Sequence, residues 1–121
     1  MEQILAQKVI DVKVILSEIN ENRYNNIFLF LESGILEVSL DSDTDELKID
    51  YHEKNLLKLN ESNLKIPNWN SVIIGKKIIS FWNTTNASGY SDVYILALNT
   101  FKPNFIIYCL ANEINIKLFK D

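Results

Sequence analysis

The chemically richest part of the sequence is a run of carboxylates in residues 32–53. Eight acidic residues stand there against one base, Lys48. The acids are Glu32, Glu37, Asp41, Asp43, Asp45, Glu46, Asp50 and Glu53. Like charges at this density repel one another, and the lysines and arginines of a basic partner would relieve that repulsion. The run therefore predicts either a solvated hairpin tip or a negative surface that docks a basic protein.

Three of these acids alternate as they do at the start of a calcium-binding loop. Asp41, Asp43 and Asp45 would occupy its first, third and fifth positions. The sixth position needs a glycine for the sharp turn and is Glu46 here, while the twelfth needs a bidentate acid and is His52. We expect at most weak, adventitious calcium binding, with no dedicated metal site and no cofactor.

Catalytic arrangements find little support elsewhere in the sequence. His52 is the only histidine and Cys109 the only cysteine, so a His/Cys metal set is incomplete and no intramolecular disulfide can form. A triad of His52, Ser91 and Asp92 can be imagined, but no nucleophile elbow accompanies it. Cys109 lies in the apolar run 105–110, which is typical of a buried, inert thiol. We predict no catalytic residues and no enzymatic activity.

A second candidate surface surrounds the small polar residues of the stretch 83–89. Trp82 precedes this stretch, Asn86 lies within it, and Tyr90 and Asp92 follow it. Aromatic and amide side chains at one rim are well suited to protein contacts. The same rim has a structural interpretation, because the glycine that ends the stretch allows a positive φ angle and a carboxylate can bond the backbone amides of a loop.

Alternation of apolar and polar residues predicts the strands that must position these groups. In the first half it predicts strands at residues 10–16, 27–31, 36–40 and 47–51. In the second half it predicts strands at residues 72–82, 90–98, 105–110 and 114–119, the first of them interrupted by Gly75. Residues 54–68 fit a helical turn and an irregular crossover equally well.

All but one of the gaps between these strands are too short to hold a crossover helix, so consecutive antiparallel pairing is expected, with a tight hairpin at Ala111-Asn112. The predicted fold is α+β: a mostly antiparallel sheet of about eight strands, in one layer or two packed sheets, with little helix. The length of 121 residues fits one domain, residues 1–121, and a composition that is 47% hydrophobic can supply its core.

Charge is unevenly distributed along the chain. Residues 1–60 carry 12 acidic and 6 basic side chains, whereas residues 61–121 carry 4 and 6. An acidic half repels phosphate backbones and anionic lipid, so we expect neither nucleic acid nor membrane as a partner. Residues 1–8 lack the basic and apolar regions of a signal peptide, which predicts a cytoplasmic protein.

Several short segments together resemble a known group of proteins. They are residues 43–46 (DTDE), residues 74–77 (IGKK), Trp82, Asn86 and residues 89–92 (GYSD). This combination is similar to a small bacterial family of immunity-like proteins encoded beside polymorphic or contact-dependent toxins. The resemblance, which spans roughly residues 8–119, implies a cytosolic, non-enzymatic protein that binds a toxin.

The leading hypothesis is therefore an immunity-type protein that neutralises a basic toxin, such as a nuclease, by covering its active or substrate-binding face. The alternatives are a small-molecule-binding or enzymatic domain with a site near Trp82 and Tyr90, or a structural subunit of a complex. A deep apolar pocket there would favour the second hypothesis, and a flat acidic face the first. The predicted partner-binding residues are Asp41, Asp43, Asp45, Glu46, Asp50, Trp82, Asn86, Tyr90 and Asp92.

Overall fold

The computed structural model describes residues 1–18, 23–41, 43–54, 57–85, 87, 89 and 91–119. These residues form mostly antiparallel β-sheet with very little helix, which confirms the predicted fold class. The strands are β1 (Val9–Leu16), β2 (Tyr24–Leu31), β3 (Gly34–Asp41), β4 (Glu46–Glu53), β5 (Ile78–Thr85), β6 (Ser91–Leu98), β7 (Phe105–Leu110) and β8 (Glu113–Leu118). Helical structure in the described ranges comprises α1 (Asn70–Ile73) and two 3-10 turns, Glu2–Ile4 and Glu61–Asn63. None of these helices is long and apolar enough to cross a membrane.

Neighbouring strands along the chain pair with each other, as the short gaps between them predict. β1 to β4 form one antiparallel run and β5 to β8 a second. The two runs join where Tyr24 of β2 pairs with Ile114 of β8. The sheet then curls so that β4 contacts β6 and β7 across the interior.

Backbone hydrogen bonds make a second junction, between the start of β1 and the segment that leads into β5. The N–H of Val9 donates to the carbonyl of Lys76 at 2.9 Å, and the N–H of Gly75 donates to the carbonyl of Val9 at 2.7 Å. The N–H of Ala6 donates to the carbonyl of Ile78 at 2.7 Å. These bonds tie the beginning of the first run to the beginning of the second.

The core fills the space between the two runs and contains a cluster of large aromatic residues. The indole Nε1–H of Trp69 donates to the hydroxyl of Tyr24 at 2.8 Å, and the two rings meet edge to face with centroids 6.1 Å apart. Phe105 packs on the other side of Trp69 at 5.4 Å. Each of these buried side chains contributes about 2 kcal/mol of hydrophobic stabilisation, and the hydrogen bond satisfies both polar atoms of the pair.

Residues 57–69 form the crossover that brings Trp69 into this core. For residues 54–68 the sequence fitted a helical turn and an irregular crossover equally well. The described residues from 57 onward are irregular apart from one 3-10 turn. Lys65 exchanges two backbone hydrogen bonds with Val14 at the edge of β1, at 2.9 and 2.8 Å. The chain is therefore anchored beside β1 just before it turns inward.

The predicted strand at residues 72–82 is wrong in its first half. Residues 70–73 form the single turn of α1, Gly75 has φ +90°, and the strand begins only at Ile78. Three apolar residues in a row fit a helical turn as well as a buried strand, so periodicity could not decide between them. The strand also continues to Thr85, within the stretch that the sequence suggested was a loop.

The predicted tight hairpin at Ala111-Asn112 is confirmed. Both residues have positive φ angles, 54° and 60°, and they connect β7 directly to β8. Two consecutive left-handed residues are typical of the type I′ turn, whose twist matches that of the strands it joins. Alanine tolerates this conformation less well than asparagine or glycine.

Substitutions of Ala111 should therefore raise or lower the free energy of unfolding, depending on the new side chain. We expect Ala111→Asn to raise the free energy of unfolding by about 0.5 kcal/mol, because asparagine relieves left-handed strain. We expect Ala111→Val to lower it by about 1–2 kcal/mol, because a β-branched residue tolerates this region worst. Urea denaturation of both variants beside the parent measures the two shifts, and equal stability of all three proteins would contradict the turn assignment.

Candidate functional site

The acidic tip is defined here as the four residues Asp41, Asp43, Asp45 and Glu46 at the end of the β3–β4 hairpin. Its backbone is folded tightly, since the N–H of Asp45 donates to the carbonyl of Asp41 at 2.9 Å. The side chain of Asp41 accepts a further bond from the N–H of Asp43 at 3.0 Å. Asp45 has a left-handed φ of 57°, a conformation that aspartate adopts more readily than most residues.

The acidic tip is docked onto the second run of strands and is more than a solvated turn. The N–H of Ser91, at the start of β6, donates to Oε2 of Glu46 at 3.1 Å. The thiol of Cys109, in β7, donates to Oδ1 of Asp45 at 3.1 Å. Asp43 and Asp45 remain exposed, whereas Glu46 is half-buried. Two of the four acids thus help to fix the hairpin against β6 and β7.

Asp92, another predicted partner-binding residue, lies close to the contact between Cys109 and the acidic tip. It follows Ser91 in β6 and is half-buried. The pKa of Cys109 is raised to about 12, first by burial and then by the hydrogen bond that the thiol donates to Asp45 and by the negative charges of Asp45 and Asp92. The thiol therefore stays protonated at neutral pH and serves as a hydrogen-bond donor. It is half-buried, whereas the sequence predicted a buried thiol.

Trp82 lies along β5, away from the acidic tip itself. Its side chain is 40% exposed. At the end of the same strand, Thr85 pairs with Ser91, which is the residue that holds the acidic tip. The exposed part of β5 therefore leads toward the carboxylates. Two other predicted contact residues, Asn86 and Tyr90, lie outside the described residues.

Asp50 and His52 lie on β4, further from the acidic tip. Asp50 is exposed and pairs with Glu37 of β3. Nε2 of His52 bonds Oε1 of Glu37 at 2.8 Å, and Nδ2 of Asn26 donates to the other oxygen of that carboxylate at 3.0 Å. His52 thus makes the hydrogen-bonding contact expected of a structural histidine and does not join the imagined triad.

Among the described residues, no group of three or more His, Cys, Asp or Glu side chains is arranged to hold a metal ion. A groove of about 410 Å³ lies on β1–β3 beneath the crossover, and its apolar lining includes Phe30, Ile35 and Leu57. Its lining contains neither Trp82 nor Asp92, so it is separate from the cleft proposed for a small-molecule ligand.

The sequence analysis did not predict the roles that Ser91 and Cys109 have at this site. Ser91 contributes its backbone N–H to Glu46 across 45 positions of sequence, and Cys109 contributes its thiol to Asp45 across 64. Neither residue type marks such a contact locally. Only the curl of the sheet brings these positions together.

The docking of the acidic tip predicts unequal effects of removing its carboxylates. Glu46→Ala should lower the free energy of unfolding by about 1 kcal/mol, because it leaves the N–H of Ser91 without its charged acceptor. Asp43→Ala is the matched control and should change stability by less than about 0.5 kcal/mol, since the Asp43 side chain is exposed. Chemical denaturation measures both, and equal effects would show that Glu46 does not anchor the hairpin.

The raised pKa of Cys109 predicts slow alkylation that depends on Asp45. The reactive thiolate is a minor species at pH 8, so iodoacetamide should react more slowly with Cys109 than with a free cysteine. Asp45→Asn removes a negative charge that raises the pKa, so the alkylation rate should increase, while Asp43→Asn should leave it unchanged. A rate that is the same in all three proteins would contradict the Cys109–Asp45 contact.

Comparison with known proteins places the chain in one family. No curated protein and no solved structure matches it. A family model described as a family of unknown function, DUF6334, matches residues 1–121. The chain therefore belongs to DUF6334.

Proposed function

We propose that this protein binds and neutralises a basic protein toxin, in the manner of an immunity protein in contact-dependent inhibition. The observation that carries the proposal is the acidic tip, which bonds from Glu46 to β6 and from Asp45 to β7 hold in place. A charged surface that is already ordered loses little conformational entropy when a partner binds. This makes the acidic tip suited to recognition of lysine and arginine side chains.

The arrangement of charge supports the same partner chemistry. Asp43 and Asp45 are exposed at the acidic tip, and Asp50 is exposed further along the same hairpin. Such a surface steers a positively charged protein toward it and accelerates association. Nuclease toxins need positive charge to hold phosphate backbones, so an acidic inhibitor can compete for the same face.

The resemblance described above supplies the biological setting of the proposal. It implies a partner encoded by a neighbouring gene and an encounter in the cytoplasm of the cell that makes both proteins. In this setting the protein needs no catalytic residue, because covering the toxin's active or substrate-binding face is sufficient.

Charge reversal at exposed acids tests the proposal without disturbing the anchored ones. We expect the double variant Asp43→Lys and Asp50→Lys to fold normally, since both side chains are exposed. We expect it to associate with the C-terminal domain of the neighbouring toxin at least about tenfold more slowly at low salt, and to lose most of its salt dependence. Stopped-flow association at low and high salt measures this, and co-expression with the toxin domain measures protection.

The control is the double variant Glu2→Lys and Glu61→Lys, which makes the same change of net charge at exposed acids outside the hairpin. It should protect cells as well as the parent protein does. Equal protection and equal salt dependence in the parent and the Asp43/Asp50 variant would refute the acidic-surface proposal. Equal losses in both double variants would attribute the effect to net charge alone, and would refute it as well.

A further inference from the structure

The outer edge of β5 presents a long stretch of backbone without a partner strand. β5 ends the strand order of the sheet and pairs only with β6. Its first residue, Ile78, is bonded to the start of the chain, but residues 79–85 make no hydrogen bond on that outer edge to any described residue. Unpaired N–H and C=O groups along a strand are a template for the addition of another strand.

This edge also lacks the features that usually prevent strand addition. Residues 78–85 contain no charged residue and no proline. The other edge of the sheet, β4, carries Glu46, Lys48, Asp50 and Glu53 among its eight residues. Charged side chains are a common means of keeping an edge strand unpaired, so β4 is protected and β5 is not. The edge of β1 is covered in part by Lys65 and by the segment before β5.

The free stretch is symmetrical about its one large exposed side chain. Trp82 is the central residue of 79–85, and it is 40% exposed. In an antiparallel pair of two β5 strands with a two-fold axis at this residue, the two Trp82 side chains would be direct cross-strand neighbours. Aromatic cross-strand pairs stabilise a sheet, and tryptophan is enriched among the residues that dominate interfaces.

Charge at the two ends of β5 favours the same antiparallel pairing. Lys76 and Lys77 precede the strand, whereas Thr85 at its end pairs with Ser91, which holds Glu46 of the acidic tip. Antiparallel pairing of two copies would place the basic start of each strand beside the acidic end of the other. A surface of this kind is self-complementary, as the interface of a two-fold dimer must be.

We propose that the protein forms a homodimer through antiparallel pairing of its β5 edges, centred on Trp82. The occupant of the free edge is thus a second copy of this chain, and the eight-stranded sheet continues from one copy into the other. This proposal does not depend on the proposed function, because it concerns β5 and not the exposed carboxylates that would meet a toxin.

Sedimentation of the purified protein tests the dimer directly. From micromolar to near-millimolar concentration, the parent protein should change from monomer to dimer. Trp82→Lys should weaken the dimer at least about tenfold, because it places two positive charges opposite each other and removes the aromatic pair. Thr84→Lys introduces a charge at an exposed edge position and should weaken the dimer in the same way, even if Trp82→Lys folds poorly.

Phe101→Lys is the matched control. Phe101 is an aromatic residue that is 86% exposed in the turn between β6 and β7, outside the free stretch 79–85 of β5. Its replacement should leave dimerisation unchanged. A parent protein that stays monomeric throughout overturns the proposal, as does a dimer that resists both edge substitutions, because it would form through another surface. Loss of the dimer in the Phe101→Lys control would also overturn it.

Disulfide trapping tests the register of the two strands. With Trp82 on the axis, Ser80 of one copy lies opposite Thr84 of the other, within the Cα distance that a disulfide can bridge. In a Cys109→Ser background, a mixture of the Ser80→Cys and Thr84→Cys proteins should therefore cross-link on mild oxidation. Each protein alone should cross-link far more slowly, because identical positions are then offset by about 13 Å along the strands.

Ser71→Cys, at an exposed position of α1, replaces Thr84→Cys in the control mixture and should not cross-link with Ser80→Cys. Cross-linking of that control at the same rate, or cross-linking of Ser80→Cys alone as fast as the mixture, would contradict the proposed register and with it the axis at Trp82.

Discussion

The hydrogen bonds between the start of β1 and the segment before β5 are the constraint on which the shape of the molecule depends. Consecutive hairpins alone would give an open sheet with one apolar face exposed to water. The bonds of Val9 with Lys76 and Gly75, together with the β2–β8 junction, turn the two runs toward each other. Only in this curled form do the apolar faces of the two runs pack against each other and leave contact with water. The position of every group in the candidate site follows from that closure.

The closure also explains why the acidic tip is ordered. A hairpin end that projects from an open sheet would be held only by its own turn. Here the curl carries the tip across to β6 and β7, where a backbone amide and a thiol donate to Glu46 and Asp45. These two hydrogen bonds partly offset the repulsion among the neighbouring carboxylates of the hairpin. Asp43 and Asp50 remain exposed and take no part in these two bonds.

Local patterns in the sequence predicted the hairpins well because a hairpin is a local structure. The alternation in residues 36–40 and 47–51, and the two-residue connection at Ala111-Asn112, contain nearly all the information that their pairing requires. The start of β5 was misplaced because Val72, Ile73 and Ile74 fit a helical turn and a strand equally. The junctions of the curled sheet were not predictable, since Tyr24 and Ile114 carry no mark of their pairing. For the candidate site, the acids could be identified from sequence, but the contacts of Asp45 with Cys109 and of Glu46 with Ser91 depend on that long-range closure.

The pairing of β2 with β8 has a consequence for how the chain is made in the cell. Tyr24 emerges from the ribosome before Ile114, which is 90 positions further along the chain. Until then the first run of strands has no second layer, so the side chains of Val12, Leu29 and Leu36, which are fully buried in the finished protein, stay open to water or to other chains. Contacts between residues so distant in sequence slow folding, and exposed strands of this kind are prone to aggregate. The fold therefore cannot close until Ile114 has been synthesised, and molecular chaperones have that interval in which to protect the nascent chain.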